Sequence, residues 1–239
     1  LLFYKPFSFG DSGVEFFFVL SGFIIHNAHH KDVFNGRVLL SYLKKRVIRI
    51  YPVYWIIFSL IYFGSLFLPQ LGSLQAMSMQ EVVQSFFLIP CHLSGVNGTG
   101  APVLVVAWSL HYEIVFYTIV GFFIAGRMGA ACIVIIILTS CFLNHRGFGL
   151  EYPFSHVANH YMLLFLMGMM MSYFNQLRVL KTWVSVLIAS IGFLLFVTVA
   201  LDQVFWLGLY NKLQTIMFGV SCSLIIYGLS NSERGGFEI

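Results

Sequence analysis

The sequence predicts an all-α, polytopic transmembrane helix bundle, and three observations carry that prediction. Only 9% of the 239 residues are charged, where a soluble domain carries about a quarter. Hydrophobic residues make up 59%, and the mean hydropathy is +0.87. The apolar residues fall in runs of bilayer-crossing length without the alternating strands of a barrel. Helices then keep every backbone group paired in lipid.

In chain order we read about seven spans: 12–29, 51–69, 105–125, 129–143, 158–174, 182–201 and 213–230. Each is near the length at which a helix crosses a bilayer; the fourth is short and borrows from its flanks. Residues 80–90 read as a short amphipathic piece on, or dipping into, the membrane surface. The larger expected outer loop, 69–104, holds a Gly-rich turn segment and the formal sequon Asn97-Gly98-Thr99, which is read as chance. A second outer loop, 144–156, carries His145, Arg146, Glu151 and His156.

With the loop after the first span in the cytoplasm, ten of the 13 Lys and Arg residues fall inside and three, Lys5, Arg146 and Lys212, fall outside. That is the positive-inside pattern, and the visible chain then runs from outside to inside. The net charge of +4 clusters beside spans, which excludes a nucleic-acid-binding surface. Cys132, Cys141 and Cys222 lie in spans and Cys91 in a loop, without metal or CxxC spacing. The chain starts at Leu1 without Met or a signal peptide and ends at Ile239 without an obvious stop feature. We expect residues 1–239 to be one membrane domain, truncated at the N-terminus and also at the C-terminus.

Three stretches carry candidate chemistry. Residues 10–25 are an apolar run with Gly13, Ser21 and Gly22 set into it. Ser21-Gly22 reads as a close-packing notch or ligand contact; a nucleophilic Ser21 would need a base, and none is near in sequence. In residues 37–50, Leu39, Leu43, Val47 and Ile50 mark one helix face, and Lys45, Arg46 and Arg49 mark another. Pro52 follows near the expected start of the next span. This basic helix is either an interfacial anchor on anionic lipid or a cradle for a phosphorylated ligand, which guanidinium groups grip bidentately.

Residues 107–117 put Ser109, Glu113 and Tyr117 one turn apart as a polar stripe. A carboxylate inside a span is costly. Glu113 is therefore a hydrogen-bonded anchor, a partner for an arginine, or a proton-transfer group. His111 lies on another face and is not paired with it. His26 and His30 have the spacing of a ligand pair, but no third ligand is evident. We read His26, His29 and His30 as solvated or headgroup-facing and expect no metal. The Met-rich stretch 161–171 reads as packed membrane core.

Taken together, these stretches resemble the acyltransferase-3 family of multi-span membrane O-acyltransferases. The pattern G-x-x-G-V-x-x-F-F-x-x-S-G-F is met by Gly10, Gly13, Val14, Phe17, Phe18, Ser21, Gly22 and Phe23. The basic-helix pattern R-x-x-R-I/L-x-P-x-Y/W is met by Arg46, Arg49, Ile50, Pro52, Tyr54 and Trp55. W-S-L-x-x-E-x-x-F-Y is met by Trp108, Ser109, Leu110, Glu113, Phe116 and Tyr117. The resemblance covers essentially the whole chain.

It implies transfer of an acyl group, most often acetyl, from cytoplasmic acyl-CoA to a hydroxyl of an exported or cell-surface glycan or lipid-linked sugar. The setting would be the bacterial inner membrane, with the bilayer and acyl-CoA as partners and no resident cofactor. Arg46, Arg49 and Lys45 would bind the donor, and Glu113 would have a supporting catalytic role, orienting a polar partner or the acceptor. The family's catalytic His would lie upstream of Leu1, on the first of about ten spans of helical, bilayer-crossing length. The chain by itself is then expected to be inactive. The competing readings are a transporter or a non-catalytic scaffold of the same fold.

Overall fold

The computed structural model describes residues 12–67, 78–90, 107–205 and 213–235. Lys5, Gly10, Cys91, the sequon Asn97-Gly98-Thr99 and Lys212 lie outside the described residues. Among the described residues every regular element is helical: α1 Ser12–His29, α2 Leu39–Phe67, α3 Met79–Phe86, α4 Ala107–Ala125, α5 Arg127–His145, α6 Phe154–Val157, α7 Tyr161–Leu177, α8 Thr182–Phe205 and α9 Gln214–Arg234. A 3-10 turn at Gly36–Val38 leads into α2. Helices α1 and α7 to α9 form one compact unit, and α2 to α6 form a second.

Among the described residues five helical segments are long and apolar enough to cross a membrane: Gly36–Ser65, Ala107–Ala125, Arg127–His145, Thr182–Asp202 and Gln214–Arg234. Helices α1 and α7 occupy the other two expected spans. The polar residues Glu15, His26, Asn27 and His29 dilute α1, and α7 is only 17 residues long. The expected short fourth span does borrow from its flanks, reaching 19 residues and including His145. His156, expected in a loop, sits in α6. Large apolar side chains are exposed along α2 (Leu40, Ile48, Val53, Leu60), α5 (Ile135, Leu138) and α8 (Phe193, Leu194). Surface of that kind needs lipid to cover it, so the chain is an integral membrane protein.

In the first unit α1 and α7 cross through small residues. A methyl group at Gly22 would run into the Phe165 carbonyl oxygen, and one at Gly168 into the Val19 carbonyl oxygen. Backbones approach this closely only where no side chain intervenes. Phe18 fills the space beside the crossing, its ring centroid 4.7 Å from that of Phe165. The notch reading of Ser21-Gly22 is thus what the packing shows for Gly22. At the far end of α7, fully buried Asn231 of α9 donates to Asn175 Oδ1 (2.9 Å) and accepts from the Leu180 backbone N–H (2.7 Å). It ties down the connection between α7 and α8.

In the second unit α4 and α5 form a hairpin joined by a single residue, Gly126, at φ +145°. Only glycine takes that backbone conformation without strain. Pro52 corrects one expectation. It lies well inside α2 rather than near the start of a separate span. One proline removes one i to i−4 bond, and a helix of 29 residues runs through it, so the basic segment and the span are one rod. Leu43 and Val47, on the expected apolar face, are exposed, while Ile50 is buried.

The amphipathic piece expected at 80–90 is α3. A capping box opens it: Ser78 Oγ accepts from the Glu81 N–H, and Glu81 accepts from the Ser78 N–H at 2.7 Å. Its C-terminal carbonyls, which a helix end leaves without internal partners, accept from α2. Tyr54 Oη donates to Ser85 O at 2.5 Å, Trp55 Nε1 to Phe86 O at 3.0 Å, and Tyr51 Oη to Phe87 O at 3.3 Å. Trp55 also stacks on Phe86 at 5.1 Å.

Candidate functional site

The polar stripe of α4 is packed against the basic end of α2. Glu113 is 1% exposed, and Tyr117 and Ser109 are buried with it. Tyr117 Oη, one turn on, donates a short hydrogen bond to Glu113 Oε1. Arg49 Nη2 lies 3.9 Å from the same oxygen. Of the three readings of Glu113, the arginine partner and the hydrogen-bonded anchor therefore both describe it. These contacts give a buried carboxyl oxygen the partners that hydrocarbon would not supply.

Tyr42 completes the arrangement. It is buried, and its hydroxyl donates to the Tyr117 carbonyl oxygen at 3.0 Å. The Arg46 guanidinium lies over both the Tyr42 and Tyr117 rings, 5.3 Å from each centroid, a cation–π position on two sides. Two guanidinium groups are thus fixed beside one buried carboxylate. Arg49 remains over a third exposed, and a guanidinium carries five N–H donors, so it keeps donors for an incoming anion while it faces Glu113. Lys45 is exposed.

The structure thus brings together Arg46, Arg49, Glu113 and Tyr117 from the expected residues. It places others apart. Tyr54 holds the end of α3. Trp108 packs edge-on against Tyr112, with centroids 5.9 Å apart. Ser21 and Gly22 belong to the other unit. Ser21 is 1% exposed, and its Oγ has no hydrogen-bond partner among the described residues. His26 turns its Nδ1 to Ser172 Oγ at 3.0 Å and stacks on His30 at 5.6 Å. Sequence reasoning missed Tyr42. The available signal was its position one turn before Arg46, the spacing at which an aromatic ring and a guanidinium meet on a helix.

A second polar group lies on another side of α4. His111 is 1% exposed. Its ring is 6.1 Å from that of His156 and 6.0 Å from that of Tyr152. Tyr112 lies over His156 with centroids 4.3 Å apart. Burial lowers the pKa of His156 from 6.5 to about 4, so its imidazole is neutral at physiological pH.

Over 115 residues the chain is 32% identical to "Exopolysaccharide production protein ExoZ" of Rhizobium meliloti (strain 1021). That match covers 47% of this chain and 34% of the relative, so it spans about a third of the relative's length. No solved structure matches. The family profile described as "Acyltransferase domain" matches residues 1–237. With residues 1–237 of the 239-residue chain matched by that profile, the chain belongs to the acyltransferase-3 family.

Proposed function

We propose that the chain is part of an O-acyltransferase that moves an acyl group, most often acetyl, from cytoplasmic acyl-CoA to a hydroxyl of an exported or cell-surface glycan. Family membership supports acyl transfer, and the printed name of the relative supports a polysaccharide acceptor. The observation that carries the donor assignment is the pair of guanidinium groups held beside a buried carboxylate. Arg46 is clamped by two tyrosine rings and Arg49 is steered by Glu113. Both then present N–H donors to the donor's phosphates, with exposed Lys45 adding a point charge. Glu113 and Tyr117 are positioning residues here.

In the reaction the acceptor oxygen attacks the thioester carbonyl carbon. The C–S bond breaks, and the hydroxyl proton ends on the coenzyme's sulfur. The membrane would be the bacterial inner membrane, with the basic end of α2 on the cytoplasmic side.

The test uses the full-length protein in membrane vesicles with labelled acetyl-CoA and isolated exopolysaccharide. Label is expected in alkali-labile ester on the glycan. Arg46→Ala with Arg49→Ala should raise the KM for acetyl-CoA by about tenfold or more, because each lost charge-assisted bond is worth about 1.5–3 kcal/mol. Unchanged turnover at limiting acetyl-CoA would remove the donor-site role.

A further inference from the structure

Helix α4 presents a second polar group on a side not used by Glu113. Among the described residues neither Nδ1 nor Nε2 of His111 has a hydrogen-bond partner, although the ring is 1% exposed. Each unpaired buried polar group costs about 1–3 kcal/mol. A leucine or phenylalanine would fill the same position without that cost, so packing does not account for an imidazole there.

Its surroundings define what it would take. Tyr152 and His156 are half-buried and Tyr112 is buried. His111, Tyr152 and His156 are mutual ring neighbours and Tyr112 lies against His156, with centroid distances from 4.3 to 6.1 Å. Ser155 Oγ lies 3.1 Å from His156 Nδ1. The group thus has an accessible outer side and an unpaired imidazole beneath it. The group holds no Lys or Arg, which disfavours a phosphate. A neutral imidazole offers one N–H donor and one lone pair, the complement of a hydroxyl. Aromatic rings around a few convergent polar atoms are the usual lining of a site for a compact, mostly apolar-faced ligand.

We infer that His111, Tyr112, Tyr152 and His156 form a binding site for the sugar ring of the hydroxyl acceptor, with His111 hydrogen-bonding a hydroxyl and the aromatic rings packing on the ring's C–H face. The inference rests on the glycan-acylation reading for the identity of its ligand. It assigns the acceptor to a place on α4 distinct from the guanidinium pair.

The test has two arms. In the first, the full-length protein carrying 15N-histidine is placed in lipid nanodiscs and titrated with the methyl glycosides of glucose, galactose and mannose. A saturable shift of a His111 ring nitrogen with at least one glycoside, lost in His111→Phe, is expected. No saturable shift with any of them, or a shift with Zn2+ alone, would overturn the site; a buried water or a metal would then explain the imidazole. In the second arm, His111→Phe should raise the acceptor KM about tenfold, the value of one hydrogen bond, and leave the acetyl-CoA KM unchanged. His111→Gln should recover part of the loss. An unchanged acceptor KM with intact acyl transfer would overturn the site and leave the reaction standing. A sugar-dependent shift in a protein that transfers no acyl group would keep the site and overturn the reaction.

Discussion

Helix α4 carries two ionisable side chains that are equally buried and two residues apart, and their surroundings differ. Glu113 has a tyrosine hydroxyl on it and an arginine beside it, and that tyrosine is itself held by Tyr42 and by the Arg46 guanidinium. His111 has aromatic neighbours and, among the described residues, no hydrogen-bond partner for either nitrogen. On the Glu113 side the structure supplies the partners itself. On the His111 side it leaves them to be supplied. The contrast separates a carboxyl group tied into its neighbours from a polar group whose partners the described residues do not supply.

The largest expected effect comes from stripping the Glu113 side. The double variant Tyr117→Phe with Arg49→Leu would leave the buried carboxyl group without its hydrogen bond and without its nearest guanidinium, a loss of about 3–5 kcal/mol. Thermal unfolding in nanodiscs should show it. Adding Glu113→Leu to that background should restore most of the loss, since the stranded carboxyl group is then gone. If the double variant unfolds like the parent, the carboxylate is not held in the way described.

The opposite sign is expected on the other side. His111→Leu should leave stability unchanged or raise it by about 1 kcal/mol, because it removes two unsatisfied nitrogens and strands nothing. A clear loss of stability would show that the imidazole has a structural partner.

The smallest effect concerns pH. The pKa of His156 is lowered by burial from 6.5 to about 4, so the folded state binds its proton less readily than the unfolded chain. The stability it contributes is therefore fully present above pH 6.5 and is lost as pH falls towards about 4. The groups facing it are His111, Tyr112, Tyr152 and Ser155. His156→Phe should flatten the fall in thermal midpoint across that window, and an unaltered slope would assign the fall to other groups.

Much of the fold was legible because a bilayer sets a length. Runs near that length stand out in the sequence, and helices occupy all seven expected spans. The stripe Ser109, Glu113 and Tyr117 was legible for a related reason: one-turn spacing puts side chains on one face whatever packs against it. What the stripe would meet was not legible. Arg49 and Tyr42 are distant in sequence from Glu113, and periodicity says nothing about which helix lies alongside. The same holds for Gly22 with Phe165, and for His111 with His156, which tertiary packing alone brings together. Pro52 misled because a proline reads as a boundary, whereas a long helix can run through one. Tyr54 and Trp55 read as motif residues without a visible task; in the structure they satisfy the carbonyls that end α3.

The measurement that tests the account most directly is two-substrate kinetics on the full-length protein, comparing Arg49→Ala with His111→Phe. The account predicts that the first raises the KM for acetyl-CoA and spares that for the glycan, while the second does the reverse. If both variants move the two constants together, or neither variant moves either, the division of α4 into a donor side and an acceptor side is wrong.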